Sequence, residues 1–299
     1  MSKNEIIKGV FLVGLGATSY GMLATFVKLA YLDVEKFTTA EVTTSQFIYG
    51  ITGMLLINLY QKIKNKGTVV KASKKNIFNL MLAGTSLGMT SVFYYLSVKY
   101  IDVSIAIVLL MQTVWMGVLI EWFLDKKAPS KQKTIAVIIV LIGTLLATNL
   151  LFSEVELNWI GIFWGMLAAM SFTTTMFTAN KVALGISSAQ RSLFMLLGGG
   201  IIVFFFSIYT QTEPFNFAIF GKYGIFLALF GTIIPPILMT AGFPKTGLGL
   251  GSIVSSLELP VSVLMAYFLL NETVIFSQWI GILLIILAIV IMNINFNKK

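Results

Sequence analysis

Ten apolar runs, each about as long as a bilayer is thick, follow one another from near residue 7 to near residue 296. A helix rises 1.5 Å per residue, so about 20 such residues cross a hydrocarbon core roughly 30 Å thick. The runs fall at about 7–31, 40–61, 76–98, 102–124, 133–151, 157–180, 188–209, 222–243, 249–270 and 277–296. Between them lie only short links, so no soluble domain fits anywhere. The expected fold is an all-α integral membrane protein of ten transmembrane helices. Composition agrees: 11% of residues are charged, where a soluble chain carries about 25%.

The same composition removes several functions. There is no cysteine and no histidine, so thiolate metal sites, disulfides and the usual general base are absent. No G-x-x-x-x-G-K-[ST] phosphate loop occurs. No cofactor is expected. The net charge of +9 does not point to nucleic acid, because its distribution reads as membrane topology. With the N-terminus inside, short inner segments carry seventeen Lys and Arg, among them Lys62, Lys64, Lys66, Lys126, Lys127, Arg191, Lys298 and Lys299. Outer segments carry three: Lys36, Lys99 and Lys222. Basic residues in short loops favour the cytoplasm, so both termini are expected there, with the chain in the cell membrane. Acids such as Asp33, Asp102, Glu154 and Glu156 fall outside on this reading.

The chain also repeats. A shift of 152 pairs Gly9 with Gly161, Ser19 with Ser171 and Tyr20 with Phe172; a shift of 146 pairs Lys99 with Lys245 and Gln132 with Gln278. The expected halves are 1–152 and 153–299. Five helices per half is odd, so the halves insert with opposite topology. Inverted repeats of this kind mark secondary transporters, with the site near the midplane between repeats.

One stretch stands out, GLGSIVSSLELPVSVLMAYFLLNE, from Gly249 to Glu272. Glu258 lies nine residues in, roughly 14 Å along a helix and near mid-depth. A carboxylate there needs a partner, a water-filled cavity or a proton. Pro260 has no N–H for the Ser256 carbonyl, which should leave that oxygen free to help hold a cation. Ser255 and Ser262 share the Glu258 face by i−3 and i+4 spacing. Gln112, the repeat mate of Glu258, is expected to face it across a cavity, with Trp115 one turn further on and Tyr20 as possible stacking surfaces. Each also has a plain packing role open to it. Lys28 lies too far along helix 1 to reach Glu258 and is expected to snorkel to the interface. Trp122, Trp159 and Trp279 read as an interfacial belt. Gly84 and Gly88, and Gly231-Thr232 before Pro235-Pro236, read mainly as packing and bending elements, with cavity lining as the second role open to their helices.

With helix 1 reading GVFLVGLGATSYGMLATFVKLA and the second half closing on Pro260, Glu272, Gln278 and Gly281, the chain resembles the EamA family of the drug/metabolite transporter superfamily. The first half departs from that pattern: Val114 stands at the Pro260 position and Lys126 at the Glu272 position. Helix 4 is therefore expected to lack the kink of helix 9. The resemblance implies two five-helix repeats and export of a small metabolite, often an amino acid, with no enzymatic activity. Alternating access driven by the substrate's gradient or by protons is the expected mechanism. A channel or an intramembrane enzyme is the alternative.

Overall fold

The computed structural model describes residues 2–65, 70–101, 103–152 and 158–294. Among these, ten helical rods span the molecule: α1 (Lys3–Leu32), α2 (Thr39–Lys64), α3 (Lys74–Val98), α4 (Val103–Asp125), α5 (Lys131–Ala147), α6 (Trp159–Lys181), α7 (Ser188–Thr210), α8 (Phe220–Thr246), α9 (Leu248–Leu270) and α10 (Phe276–Ile294). Eight of them are long and apolar enough to cross a membrane by length and composition, and α10 is a shorter apolar helix. Lys66, Asp102, Glu154, Glu156, Lys298 and Lys299 lie outside the described residues.

Helix starts follow from local chemistry. The hydroxyls of Ser2, Thr38, Ser73, Ser130 and Ser187, and the amide oxygen of Asn158, each accept from a backbone N–H of the first turn. Such caps satisfy donors that the first turn of a helix leaves open. At Thr38 the capping box is complete, with Glu41 accepting from the Thr38 N–H at 2.7 Å. The ends repeat as well: α4 and α9 both stop at a residue in the left-handed region, Lys126 at φ 52° and Asn271 at φ 53°.

Packing shows the two-fold relation between halves. The first helix of each half lies on the third helix of the other, α1 on α8 and α6 on α3. Each also contacts the other half's fourth helix, α1 on α9 and α6 on α4. The second, fourth and fifth helices meet their own counterparts: α2 on α7, α4 on α9 and α5 on α10. An odd number of helices per repeat inverts the second half, so the described ends, Ser2 and Ile294, sit on one face, the terminal face.

Two further features shape the interior. At the α3–α7 crossing, a Cβ on Gly84 would meet the backbone of Met195 and one on Gly198 the backbone of Met81. The backbones therefore touch, as small residues permit. In α8, two π-helical turns (Phe220–Gly224 and Leu229–Ile233) precede Pro235-Pro236. Prolines cannot donate to the carbonyls behind them. The Ser19 hydroxyl donates to the Phe230 carbonyl at 3.2 Å, five residues before Pro235, and the Thr232 hydroxyl contacts the carbonyls of Ala228 at 3.1 Å and of Gln46 on α2 at 3.0 Å.

The interruption expected in α9 is present, between Ser255 and Glu258. The expectation that α4 runs straight is overturned: it breaks between Leu110 and Thr113, at the matching place. In both, tighter i→i+3 bonds replace the regular ladder: Gln112 N–H to Leu109 and Val114 N–H to Met111 in α4, Ser256 N–H to Ile253 and Leu257 N–H to Val254 in α9. Proline thus accompanies the break in one half and is not its cause in both. Nor is the Ser256 carbonyl left free by Pro260, because it accepts from the Leu259 N–H at 3.2 Å.

Candidate functional site

A cavity of about 490 Å³ lies between the two halves. It runs from Glu258 and Tyr20 at mid-depth to Lys28, Glu272 and Thr273 at the face opposite the termini. Its floor is the pair Tyr20 and Phe172, packed edge to face, which also lines a small void of about 20 Å³ on the terminal side. Beneath the floor Met176, Met239 and Phe243 are buried in a continuous apolar core.

The terminal face is tied shut by charge. Lys245 pairs with Glu5, joining α8 to α1, and Lys133 pairs with Glu121, joining α5 to α4. Arg191 is buried and donates to the carbonyls of Val182 (2.9 Å), Thr240 (2.6 Å) and Ala179. It binds α6, the following turn and α8 to α7 through groups that carry no formal charge.

Glu258 enters the cavity at the second segment of α9. The sequence fixes its position through a close approach: a Cβ on Gly21 would collide with the Glu258 carbonyl and with Val261. α1 is therefore pressed against α9 at this level. The Glu258 Oε2 atom is buried with no hydrogen-bond partner, as is Thr25 Oγ1; both residues line the cavity. Tyr20 from α1 and Tyr94 from α3 stand within electrostatic reach of the carboxylate. A buried oxygen of this kind lacks the hydrogen bonds it would have in water. A cationic donor placed in the cavity would supply them.

The other residues singled out from the sequence are divided by the structure. Tyr20 and Ser262 line the cavity with Glu258. Gln112 is not among the residues that line this cavity: its amide nitrogen donates to the Val108 carbonyl at 3.0 Å and its amide oxygen accepts from the Trp115 indole at 2.8 Å. Trp115 packs against the apolar core beyond it. Ser255 is buried and donates to the Gly251 carbonyl at 2.9 Å. Gln112 and Ser255 thus spend their hydrogen bonds within their own helices, α4 and α9.

Lys28 is no isolated snorkelling lysine. It pairs with Glu272 across the cavity mouth, linking the end of α1 to the chain just past α9. α3 and α8, read mainly as packing helices, line the cavity through Thr90, Ser91, Tyr94, Tyr95, Gly231 and Thr232. For α3 a signal was present: Thr90, Ser91, Tyr94 and Tyr95 fall at i and i+4 spacing, which marks one helix face. Thr25, a single polar residue among apolar neighbours, offered no such pattern, and Gln46 ends the polar run Thr43-Thr44-Ser45, which singles out no one face.

Ten helices, at least eight of them long and apolar enough to span a bilayer, in two inverted halves around a mid-depth cavity, are the architecture of a polytopic membrane transporter. The pattern of the EamA-like transporter family matches residues 7–149 and again 159–294. The chain belongs to that family. One solved crystal structure, described only as that of a protein, shares the fold over 97% of this chain and 98% of its own, with a TM-score of 0.79 and 12% identity. No curated protein matches the chain.

Proposed function

We propose that the protein is a secondary carrier that moves a small amino-bearing metabolite out of the cell by alternating access, one repeat rocking against the other. The observation that carries this reading is the unpartnered, buried Oε2 of Glu258 at the deep end of a cavity closed on one side. An ammonium group satisfies that oxygen; so does a proton, which is the candidate coupling ion. The closed floor supports a carrier over an open pore. Both termini are assigned to the cytoplasm on the lysine and arginine bias, so the cavity of this conformation faces outward.

Counterflow in proteoliposomes against a panel of amino acids and amines tests the reading. Glu258→Gln should keep the melting temperature, since shape is retained and a buried charge removed, and should lose roughly tenfold or more of the exchange. A folded variant exchanging at the wild-type rate would sink the site. Orientation is tested separately with single cysteines at Ser2 and Glu156, which should label from opposite sides. The chain has no native cysteine to interfere.

A further inference from the structure

Charge along the cavity is distributed unevenly, and the distribution restricts the ligand. Three formally charged side chains line it: Glu258 at the deep end, Lys28 and Glu272 at the mouth. The last two are committed to each other. Gly21 packs at the level of Glu258, and Lys28 lies seven residues further along α1, roughly 10 Å by helix rise. The deep end thus holds one acidic group, negatively charged when ionised, and among the described lining residues it holds no positive one. Around that charge stand the rings of Tyr20, Tyr94 and Phe172 and the apolar chains of Met111 and Leu259. Aromatic faces attract cations, the more so when water is excluded.

From this arrangement we infer that the cavity selects a small organic monocation, an amine without a carboxylate, and discriminates against the amino acid of the same side chain. In an α-amino acid the carboxylate and ammonium share one carbon. Seating the ammonium on Glu258 therefore brings a second carboxylate beside the first, in surroundings where like charges repel strongly. The nearest cation is about two helical turns away and already paired. An amine lacking the carboxylate brings the positive charge without that penalty. A volume near 490 Å³ also leaves room for an aromatic or aliphatic tail, within the usual range of small-molecule sites. This refines the carrier reading above and rests on it only in taking the cavity as the place where ligand binds.

The test uses tyramine and tyrosine, which differ by the carboxylate alone. Binding of radiolabelled tyramine to the purified full chain is measured with unlabelled tyramine, tyrosine or 3-(4-hydroxyphenyl)propionate as competitor, beside counterflow with the same compounds. We expect tyramine to displace the label, tyrosine to need roughly tenfold more or worse, and the propionate to be inert. Glu258→Gln with wild-type melting should lose tyramine binding, and Glu258→Asp should keep part of it. Tyrosine competing and exchanging as well as tyramine would overturn the monocation inference and leave the carrier of amino-bearing metabolites standing. Tyramine binding unchanged in a folded Glu258→Gln protein would overturn the inference at its root. No exchange of any amine or amino acid by folded wild-type protein would overturn the carrier reading, a separate failure.

Discussion

Tyr20 and Phe172 occupy equivalent positions in the two repeats, and their rings meet edge to face with centroids 6.1 Å apart and planes at 83°. Residues related by a two-fold operation can touch one another only where the axis passes between them, so this contact marks the axis at mid-depth. It is also the floor between the wide cavity and the small void. Tyr20→Ala should join the two spaces. A cysteine placed at Met176, on the void side, should then react with a small thiol reagent from the cavity side, while in an otherwise wild-type background it should not. Tyr20→Phe should keep the seal. Equal labelling in all three backgrounds would remove the floor assignment.

The Lys28–Glu272 pair closes across the mouth with both side chains about half exposed (49% and 40%). Pairs this open to solvent stabilise by about 0.2–1 kcal/mol. Lys28→Ala or Glu272→Ala should therefore shift the melting temperature by only a few degrees at most. Exchange kinetics should change more, and the reversed pair Lys28→Glu with Glu272→Lys should restore what either reversal alone loses. A double reversal no better than the singles would show that the contact is not an ion pair in use.

Where α3 and α7 cross, the atoms that a methyl group would strike belong to backbone and cannot swing aside. Gly84→Ala and Gly198→Ala should each destabilise by about 1–3 kcal/mol, the usual cost of overpacking. Gly221→Ala meets nothing within 4 Å and serves as the neutral control. Thermal unfolding in one detergent measures all three; Gly84→Ala melting with the control would argue that the helices stand further apart.

On the face opposite the termini, Asp33 accepts from the Glu35 N–H (3.0 Å), the Lys222 ammonium (3.0 Å) and the Tyr223 hydroxyl (2.8 Å). The Glu35 backbone donor leads, and with Lys222 and Tyr223 it lowers the carboxyl from 3.8 to about 2. A depressed carboxyl stabilises the fold above its unfolded value and loses that contribution as pH falls through the folded one. Asp33→Asn should therefore melt below wild type at neutral pH, and the gap should close between about pH 4 and 2. A gap constant across that window would exclude titration of Asp33 as its source.

Much of the fold was legible because length and charge are local properties. Ten runs of bilayer length and two matched sets of glycine, serine and glutamine positions need no knowledge of which helix touches which. Facing was harder. Gln112 and Ser255 sit on helices that are apolar all round, where a polar residue has no wet side to reveal its direction. The breaks then rotate the following segment, so spacing counted across them misleads. The α4 break escaped notice because proline is its only visible mark in sequence, and α4 has none. Distance from Glu258 says nothing of the partner Lys28 does have: Glu272 lies 244 positions away, and spacing in the sequence cannot bring two such residues together.

The interruptions in α4 and α9 fall at the level of the ring contact, which divides each of these rods into an upper and a lower lever. A lever with its pivot at the floor need not carry its far arm along. The arms beside the cavity can swing inward while those beneath stay fastened, α4 to α5 by Lys133 on Glu121 and α9 to α4 by the Ser252 hydroxyl on the Val114 carbonyl. Only half the length of either rod then has to trade one set of neighbours for another. In the proposed carrier cycle that half alone exchanges contacts, and the rest of the molecule serves as its anvil.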